Sequence, residues 1–272
     1  MAVSDVTTGA PAGTARPAPR RPAMAGTWLT YFLAVVGALL LWQLLSLFVN
    51  PLFLPGPLQV GRSAVELTGS GELPQHVGVS YFRVLSGWVI GAVLAIPLGL
   101  LAGRVKLLRV ALEPFLNFFR FVPPIAFLSL SLIWLGIGET SKIALIVYAS
   151  LFIVFLNTIA GVQAIDEEKL RAAQCLGASR LQLLSTVIVP ATIPDIVTGL
   201  RTAMGISFMT VVAAELVAAE SGVGYLIYNS RLFARTDYVF VGIVTLGLMG
   251  LLADLVFRWA TTPVRHRYAI KF

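Results

Sequence analysis

Six long apolar stretches, separated by shorter polar segments, dominate the pattern along the chain. Each has roughly 20 residues or more, the length that an α-helix needs to cross the hydrocarbon core of a bilayer. The pattern therefore predicts an all-α, polytopic membrane protein with six transmembrane helices. The stretches cover residues 28–49, 81–103, 110–135, 143–161, 192–219 and 239–260.

Polar segments at the two ends and after the first stretch divide the chain. Residues 1–26 are rich in Ala, Pro, Thr and Arg and have no apolar period, which predicts a disordered cytoplasmic tail. Residues 27–262 form the predicted transmembrane domain, and residues 263–272 a second cytoplasmic tail. Residues 51–79 contain four prolines and are polar enough to lie outside the bilayer.

The N-terminal segment also has a feature of secretory signals, because Arg20 and Arg21 precede an apolar run. That run is too long for a signal core, and no A-x-A-like cleavage site follows it. We therefore favour an uncleaved first transmembrane helix.

Composition and charge agree with a membrane protein. Only 12% of the 272 residues are charged, whereas soluble chains have about 25%. The net charge is +7, and most basic residues lie before the first stretch, after the second, after the fourth and after the sixth. Six spans would place these segments on one side, which the positive-inside rule assigns to the cytoplasm. Both termini are then cytoplasmic, and topology explains the excess charge without a nucleic-acid partner.

Metal and disulfide chemistry have little support in the sequence. Cys175 is the single cysteine, which excludes an internal disulfide framework and a cysteine-rich zinc site. His76 and His266 are far apart in sequence, which argues against a histidine metal site. We expect no metal, no cofactor and no catalytic residue in this chain.

The polar loop of residues 164–190 is the most informative segment. Asp166 and the two glutamates that follow it favour a helix N-terminus. Gly177 can adopt a backbone conformation closed to other residues and so divide the helix, and Ser179 can cap the second piece. Ala172 and Ala173 are small enough to let another backbone approach closely. The loop therefore predicts a short cytoplasmic helix suited to a groove on a partner, although a connector packed on its own bundle is the simpler alternative.

This loop resembles the E-A-A-x3-G-x9-I-x-L-P motif of the membrane subunits of binding-protein-dependent ABC importers. The chain has Arg171-Ala172-Ala173, then Gly177 at the same spacing, then Val187-Ile188-Val189-Pro190. It departs from the motif at Arg171, Val187 and Val189. Residues 119–124 (FRFVPP), 136–142 (GIGETSK) and 213–219 (AAELVAA) are similar to the branch that handles nitrate, taurine and alkanesulfonates. The resemblance covers roughly residues 52–260.

The resemblance implies a homodimeric permease in the bacterial inner membrane. Each copy would insert its loop helix, the coupling helix between spans four and five, into a cleft of an ABC ATPase subunit that binds ATP and Mg²⁺. A periplasmic or lipid-anchored binding protein would deliver the small solute. The coupling residues implied by the motif and its surroundings are Arg171, Ala172, Ala173, Gln174, Leu176, Gly177, Ala178 and Ser179.

The absence of a phosphate-binding loop in the sequence agrees with a separate ATPase. A P-loop has the spacing G-x4-G-K-[ST], which occurs nowhere in the chain. Gly136 to Lys142 is glycine-rich and contains a lysine, but its spacing is wrong. The energy for transport must then come from another chain.

Arg120 and the prolines Pro123 and Pro124 mark a candidate translocation pathway in span three. Tandem prolines remove two backbone donors and should break the helix, which is tolerated at membrane depth beside protein or a watery cavity. We hypothesise that Arg120 attracts an anion at this break. The alternative, equally open, is that Arg120 pairs with Glu113 or a carbonyl, or extends to an interface.

Three further charged residues are candidates for the pathway. Glu139 and Lys142 lie near the outer edge, where a helix cap with a local ion pair is favoured over a gate or a docking contact. Glu215 lies deep in span five among small residues. We favour a structural role for Glu215, as a buried partner of Arg83, Arg120 or nearby backbone, over a gate element.

Two other classes of function can be weighed against an ABC permease. An ion-gradient-driven secondary transporter would have paired acidic residues at the midplane and often inverted repeats, and neither is evident. A membrane enzyme would need a nucleophile with a base, or a metal cluster, which the two histidines and one cysteine do not supply. The sequence leaves the solute itself open among sulfonates, nitrate, bicarbonate, aromatic carboxylates and thiamine precursors.

Overall fold

The computed structural model describes residues 24–268 and 270, and this part of the chain is all-α. The predicted tail residues 1–23, and residues 269, 271 and 272, lie outside the described residues. In the described part the helices are α1 (Met24–Phe48), α2 (Pro57–Gly69), α3 (Glu72–Arg104), α4 (Lys106–Phe119), α5 (Leu128–Leu135), α6 (Glu139–Gln163), α7 (Glu167–Cys175), α8 (Arg180–Gln182), α9 (Val189–Ala218), α10 (Val223–Leu232), α11 (Thr236–Ala260) and α12 (Thr262–Tyr268).

Five helical runs in the described residues are long and apolar enough to cross a membrane, and a bent pair can supply a sixth. The five are α1, α3, α6, the run from α8 through α9, and α11. The bent pair is α4 with the Pro124–Leu135 segment, which meet at 90°. The predicted all-α membrane fold is confirmed, but the second span begins at Glu72, nine residues before the predicted start. Residues 57–69, predicted only as a polar segment, form α2.

Helices α3 and α6 pack closely because small residues line one side of α3. Gly87, Gly91, Ala95, Gly99 and Gly103 recur every four residues and therefore lie on one face. A Cβ atom at Gly99 would lie 2.7 Å from the Cβ atom of Thr158 on α6, closer than such atoms can approach. In a membrane, where helix association depends on close packing rather than on the hydrophobic effect, such a face holds two helices together.

Helix α9 packs on α6 by the same device, on a face next to the one that contacts α3. A Cβ atom at Gly199 would lie 2.7 Å from the Cβ atom of Asn157, and one at Gly161 would lie 2.6 Å from that of Asp195. The buried apolar side chains of α3, α6 and α9, such as Val84, Ile146 and Val211, fill the remaining space. These three helices form the centre of the bundle.

The break between α4 and α5 lies at Arg120 to Pro123, where the tandem prolines predict it. Pro123 is extended, and Pro124 begins a short 3₁₀ turn that leads into α5. A proline at position 123 cannot donate to the carbonyl of Phe119. That carbonyl instead accepts from the Val122 N–H (3.1 Å) and the Tyr148 hydroxyl (3.1 Å). The freed acceptor is thus satisfied inside the protein, as membrane depth requires.

The remaining helices surround the centre. Trp42 of α1 donates from its indole N–H to the Pro55 carbonyl (3.1 Å) and stacks on Phe240 of α11. Ser63 of α2 donates to Asp237 of α11 (2.8 Å), and Arg235 bonds the same carboxylate. That carboxylate raises the pKa of the Arg235 guanidinium above its ordinary value. These contacts attach α1 and α2 to α11.

Candidate functional site

Helix α7 is a short helix whose N-terminus is capped by the side chain of the residue before it. The Asp166 side chain accepts a hydrogen bond from the Glu168 N–H (3.0 Å), so Asp166 is the N-cap of α7, at the helix N-terminus that the sequence favours. Glu167 pairs with Arg171 one turn later at 2.8 Å, and both side chains are about three-quarters exposed. A pair this exposed contributes little to stability. Arg171, the departure from the family motif, is therefore compatible with the helix.

Gly177 ends α7 in the left-handed region of backbone space, with φ of +81°. Its N–H donates to the Gln174 carbonyl (2.9 Å), and the Ala178 N–H donates to the Ala173 carbonyl (3.1 Å). Ser179 then caps the next piece in a reciprocal arrangement with Gln182. Gly177 therefore divides the loop helix and Ser179 caps the second piece, as the sequence predicts. A sharp turn lies between the two helical pieces.

The two alanines of the motif have different surroundings. Ala173 is half-buried and packs with Leu170 against the cluster of Val162, Leu183 and Ile188. Ala172 is exposed. The expectation that both small side chains admit a foreign backbone therefore fits Ala172 better than Ala173.

The end of α7 and the turn after it, residues 174–179, form a mostly exposed tip that carries one large apolar side chain. Gln174, Cys175 and Gly177 are exposed, and Leu176 is 89% exposed. Ala178 is half-buried and Ser179 exposed. Single exposed leucines are common, so the informative fact is that Leu176 lies at the end of a capped helix in a polar loop and is almost fully exposed in the described part of the chain.

Helix α8 continues into α9 through a π-helical turn, Leu183–Ile188. This turn lies immediately before Pro190, which has no N–H to donate and crowds the carbonyl four residues earlier. The wider turn accommodates the proline without ending the helix. Pro190 therefore marks a change in helix type, whereas Pro194 lies inside α9. The run from Arg180 to Ala218 connects the α7 loop to the bundle as one helical segment.

Glu139 and Glu215, two charged candidates at the end of the bundle opposite α7, both bond to Arg83 of α3. The Arg83 guanidinium donates two hydrogen bonds of 2.6 Å to Glu139 of α6 and one of 2.7 Å to Glu215 of α9. It also donates to the Ser221 carbonyl at 2.6 Å. One buried side chain thus joins α3, α6, α9 and the segment before α10.

Glu215 is buried, and its carboxylate accepts hydrogen bonds from several groups. It is 1% exposed and accepts from the Ser80 hydroxyl (2.8 Å), the Gly224 N–H (2.9 Å) and Arg83. Gly222 has no room for a side chain, because a Cβ atom there would lie 2.3 Å from the Glu215 carboxyl carbon. The expected partnership of Glu215 with Arg83 is present, whereas Arg120 takes no part in it.

Glu139 and Lys142 lie in the first turn of α6. Their atoms approach to 3.2 Å, which is the local ion pair favoured from the sequence. The Glu139 side chain is 49% exposed, whereas the Lys142 side chain is 6% exposed. Of the four side chains Arg83, Glu139, Lys142 and Glu215, that of Glu139 is therefore the one that solvent or a partner can reach.

Arg120 is exposed at the C-terminal end of α4, directly before the break. Its guanidinium lies over the ring of Phe121, 4.6 Å from the centroid. Among the described residues it forms no ion pair with Glu113 or any other carboxylate. Its charge is available to a ligand.

A groove of about 990 Å³ runs between α9 and α11. Thr198, Thr202 and Gly205 form an exposed small and polar stripe on its α9 wall. Arg201 bonds Asp254 of α11 at 2.6 Å, and Asp254 also pairs with Arg258 at 2.8 Å, as the i, i+4 spacing predicts. Arg201 of α9 is thus a link between the two walls of the groove.

Sequence reasoning named Arg83 only as one possible partner of Glu215. The available signal was its position, because Arg83 is the single charged residue in the apolar stretch 81–103. A charge inside a span is costly and marks a partner or a function. Across residues 24–268 and 270, no three His, Cys, Asp or Glu side chains are grouped to hold a metal ion.

Comparisons with known proteins agree with this architecture. The sequence model of the family "binding-protein-dependent transport system inner membrane component" matches residues 95–266. A probable ABC transporter permease protein of Brucella melitensis is 41% identical over 213 residues, 78% of this chain and 86% of that protein. The taurine transport system permease protein of Escherichia coli is 39% identical over 223 residues, 80% and 81% of the two chains.

A solved structure of another transporter shares the fold. A chain of the MetNI methionine ABC transporter, in an inward-facing conformation, superposes with a TM-score of 0.53 and 20% identity. The match covers 67% of this chain and 93% of that one. At this identity the likeness extends to the fold and no further.

Proposed function

The chain belongs to the family of binding-protein-dependent transport system inner membrane components, and from this premise we propose that it is the permease subunit of an ATP-driven importer for a small solute with a sulfonate or similar anionic group. The solute class is supported by the 39% identity to a taurine permease. It is supported further by the unpaired basic side chain of Arg120 at the break in a membrane helix.

The observation that carries the proposal is the self-capped projection formed by α7 and its tip. It ends in a leucine that is 89% exposed and is joined through the π turn to α9, a central helix of the bundle. A load applied to α7 by a partner would therefore be transmitted to the core. We propose that a separate ATPase subunit receives α7 in a cleft, with Ala172, Gln174 and Leu176 as the contacting side chains and Gly177 and Ser179 fixing the angle.

Transport in this scheme is a shift between two conformations of a homodimer. ATP and Mg²⁺ would be bound by two ATPase subunits, whose closure would draw the two α7 helices together and open the bundle to the outside. A secreted or lipid-anchored binding protein would then release the solute into the dimer. Nucleotide can drive this change only through its different affinity for the two states.

The candidate residues divide into two groups under this proposal. Arg120, Pro123 and Pro124 form a break whose charge is free, and we assign them to the solute pathway. Glu215 and Lys142 are buried and paired, so we assign them to the structural support of the outer end. Glu139, which is half-exposed, is the candidate contact for the binding protein.

The test is reconstitution of the chain in liposomes with the ATPase and the binding protein encoded beside its gene. Taurine and ethanesulfonate are the first solutes to try, and uptake should require ATP. Leu176→Glu should release the ATPase during purification, whereas Val65→Glu, at a similarly exposed apolar position on α2, should not. Solute accumulation by the chain alone under an ion gradient would contradict the proposal and favour a secondary transporter.

A further inference from the structure

Helix α4 and the residue after it carry a polar stripe, of which the function proposed above uses only Arg120. Lys106, Arg109, Glu113, Asn117 and Arg120 are spaced by three, four, four and three residues, which places them on one side of the helix. None of the residues of α4 is buried. The stripe faces α6 over part of its length, where the two helices line a partly open cavity of about 420 Å³.

The cavity collects four polar side chains, three of them exposed and one, that of Arg109, half-buried. Arg109, Glu113 and Asn117 line it from α4, and Gln163 lines it from the end of α6. Within the described part of the chain, none of these four side chains forms a hydrogen bond or an ion pair. Arg109 and Glu113 are one turn apart and of opposite charge, yet they do not pair with each other.

Helix stability does not explain these charges. A basic residue in the first turns of a helix opposes the helix dipole, which favours acidic groups there. A basic residue four positions before an acidic one is also the less favourable order for an intrahelical pair. A charge in a membrane-spanning segment is expensive, and Glu113 lies in the third apolar stretch, so its placement beside a cavity points to a ligand.

We propose that this cavity is a binding site for a small zwitterion, a molecule with a sulfonate or carboxylate at one end and an ammonium group at the other. Arg109 complements the anionic group, and Glu113 complements the ammonium group. The apolar side chains of Leu116 and Leu156 line the space between and accommodate a short alkyl spacer. Asn117 and Gln163 supply amide donors and acceptors. The proposal deepens the function proposed above, because it gives the permease its own selectivity for aminosulfonates over simple anions.

The volume of the cavity suits such a ligand. Small-molecule sites in proteins are commonly about 300–1,000 Å³. A ligand with no net charge leaves no uncompensated charge at the site, whereas nitrate or an alkanesulfonate would leave Glu113 without a partner. Selectivity for a zwitterion over a simple anion would then come from the Glu113 carboxylate, which a simple anion leaves unpaired, as much as from attraction to Arg109.

Protection of a cysteine from a neutral thiol reagent tests the site without ATP hydrolysis. The full chain is expressed with Cys175→Ser, which removes its single cysteine, and with Leu116→Cys, which places one thiol in the cavity and keeps all four polar groups. Inside-out membrane vesicles are treated with methyl methanethiosulfonate, and the labelled fraction is measured by mass spectrometry. Leu107→Cys, on the same helix and 81% exposed, is the control outside the cavity.

Taurine should slow the labelling of Leu116→Cys about tenfold at ten times its dissociation constant, the mass-action value, and leave Leu107→Cys unaffected. Ethanesulfonate and ethylammonium, with one charge each, should protect several-fold less at the same concentration. Glu113→Gln should remove the preference for taurine over ethanesulfonate, Arg109→Gln should remove protection by both, and Arg104→Gln should change nothing.

Absence of protection by taurine would overturn the proposal, as would equal protection by taurine and ethanesulfonate in the unsubstituted site. Protection that survives both Arg109→Gln and Glu113→Gln would do the same. Because the measurement needs neither the ATPase nor the binding protein, these outcomes are separate from a failure of ATP-driven uptake, which would instead contradict the function proposed above.

Discussion

The Arg83 guanidinium lies 2.7 Å from the Glu215 carboxylate, and the two side chains are 1% and 0% exposed. The pair joins α3 to α9 at the end of the bundle opposite α7, and Ser80 and the Gly224 N–H saturate the remaining carboxylate positions. Two charges removed from water are stabilising only when both are present and fully hydrogen-bonded. This end of the bundle therefore depends on the integrity of this group.

Arg83→Met should be far more damaging than Glu139→Gln. The first leaves the buried Glu215 without its cation and should cost about 3–5 kcal/mol. The second removes a half-exposed partner, for which about 0–1 kcal/mol is the usual cost. Thermal unfolding of the purified chain in detergent measures both. Equal destabilisation by the two variants would show that the Arg83–Glu215 pair is not the stabilising contact.

Gly99→Leu should separate α3 from α6. The added side chain would enter the space of Thr158, and overpacking of a tight contact costs about 1–3 kcal/mol or more. Gly78→Leu is the matched control, because a side chain at Gly78 on the same helix meets open space. Yield of folded protein in size-exclusion chromatography reports the difference. A normal yield of Gly99→Leu would contradict the close packing described here.

Much of the membrane fold follows from the sequence because its signals are local. The apolar stretches mark the spans, the tandem prolines mark the break after Arg120, and Gly177 and Ser179 mark the ends of the loop helices. The start of α3 at Glu72 was missed, because the segment before residue 81 is too polar to score as a span. Hydropathy finds the part of a helix that lies in lipid, and α3 continues beyond it.

The side-chain partnerships needed tertiary information. Glu139 and Glu215 are 76 residues apart in the chain, and no periodicity relates them to Arg83 on a third helix. The glycine spacing on α3 was readable in the sequence, but the partner helix was not. The polar stripe of α4 was also readable at its three- and four-residue spacing, although its meaning depends on the cavity that α6 completes.

Gly177→Val should impair coupling more than Gly177→Asn. A φ of +81° is strained for a β-branched residue, at a cost of about 1–3 kcal/mol, whereas asparagine tolerates this region. The Val variant should therefore misplace the tip around Leu176 and reduce stimulation of the ATPase by solute-loaded binding protein. The Asn variant should retain most of it. The assay is ATP hydrolysis by the reconstituted complex with and without binding protein, and equal activity of both variants would contradict a role for this turn.

Arg120→Ala should reduce uptake of sulfonates if the charge at the α4–α5 break attracts the anion. Among the described residues the Arg120 guanidinium lies over the ring of Phe121 and forms no ion pair, so its removal breaks no such pair and should leave folding intact. A loss of attraction without loss of the bend predicts a raised KM with kcat little changed, and Arg120→Lys should restore most of the affinity because it restores the charge. Phe121→Leu, which removes the ring and keeps the cation, separates the two contributions.

Uptake of radiolabelled taurine and ethanesulfonate at several concentrations measures these constants, with the amount of permease in the membrane fixed by immunoblot. Salt gives an independent check. An exposed charge acts through water and is screened over about 10 Å at 0.1 M ionic strength, so the gap between Arg120 and Arg120→Ala should narrow as salt rises. Unchanged uptake of both solutes by Arg120→Ala at low salt would remove Arg120 from the pathway and leave the break itself, at Pro123 and Pro124, as the only part of this region with a role in transport.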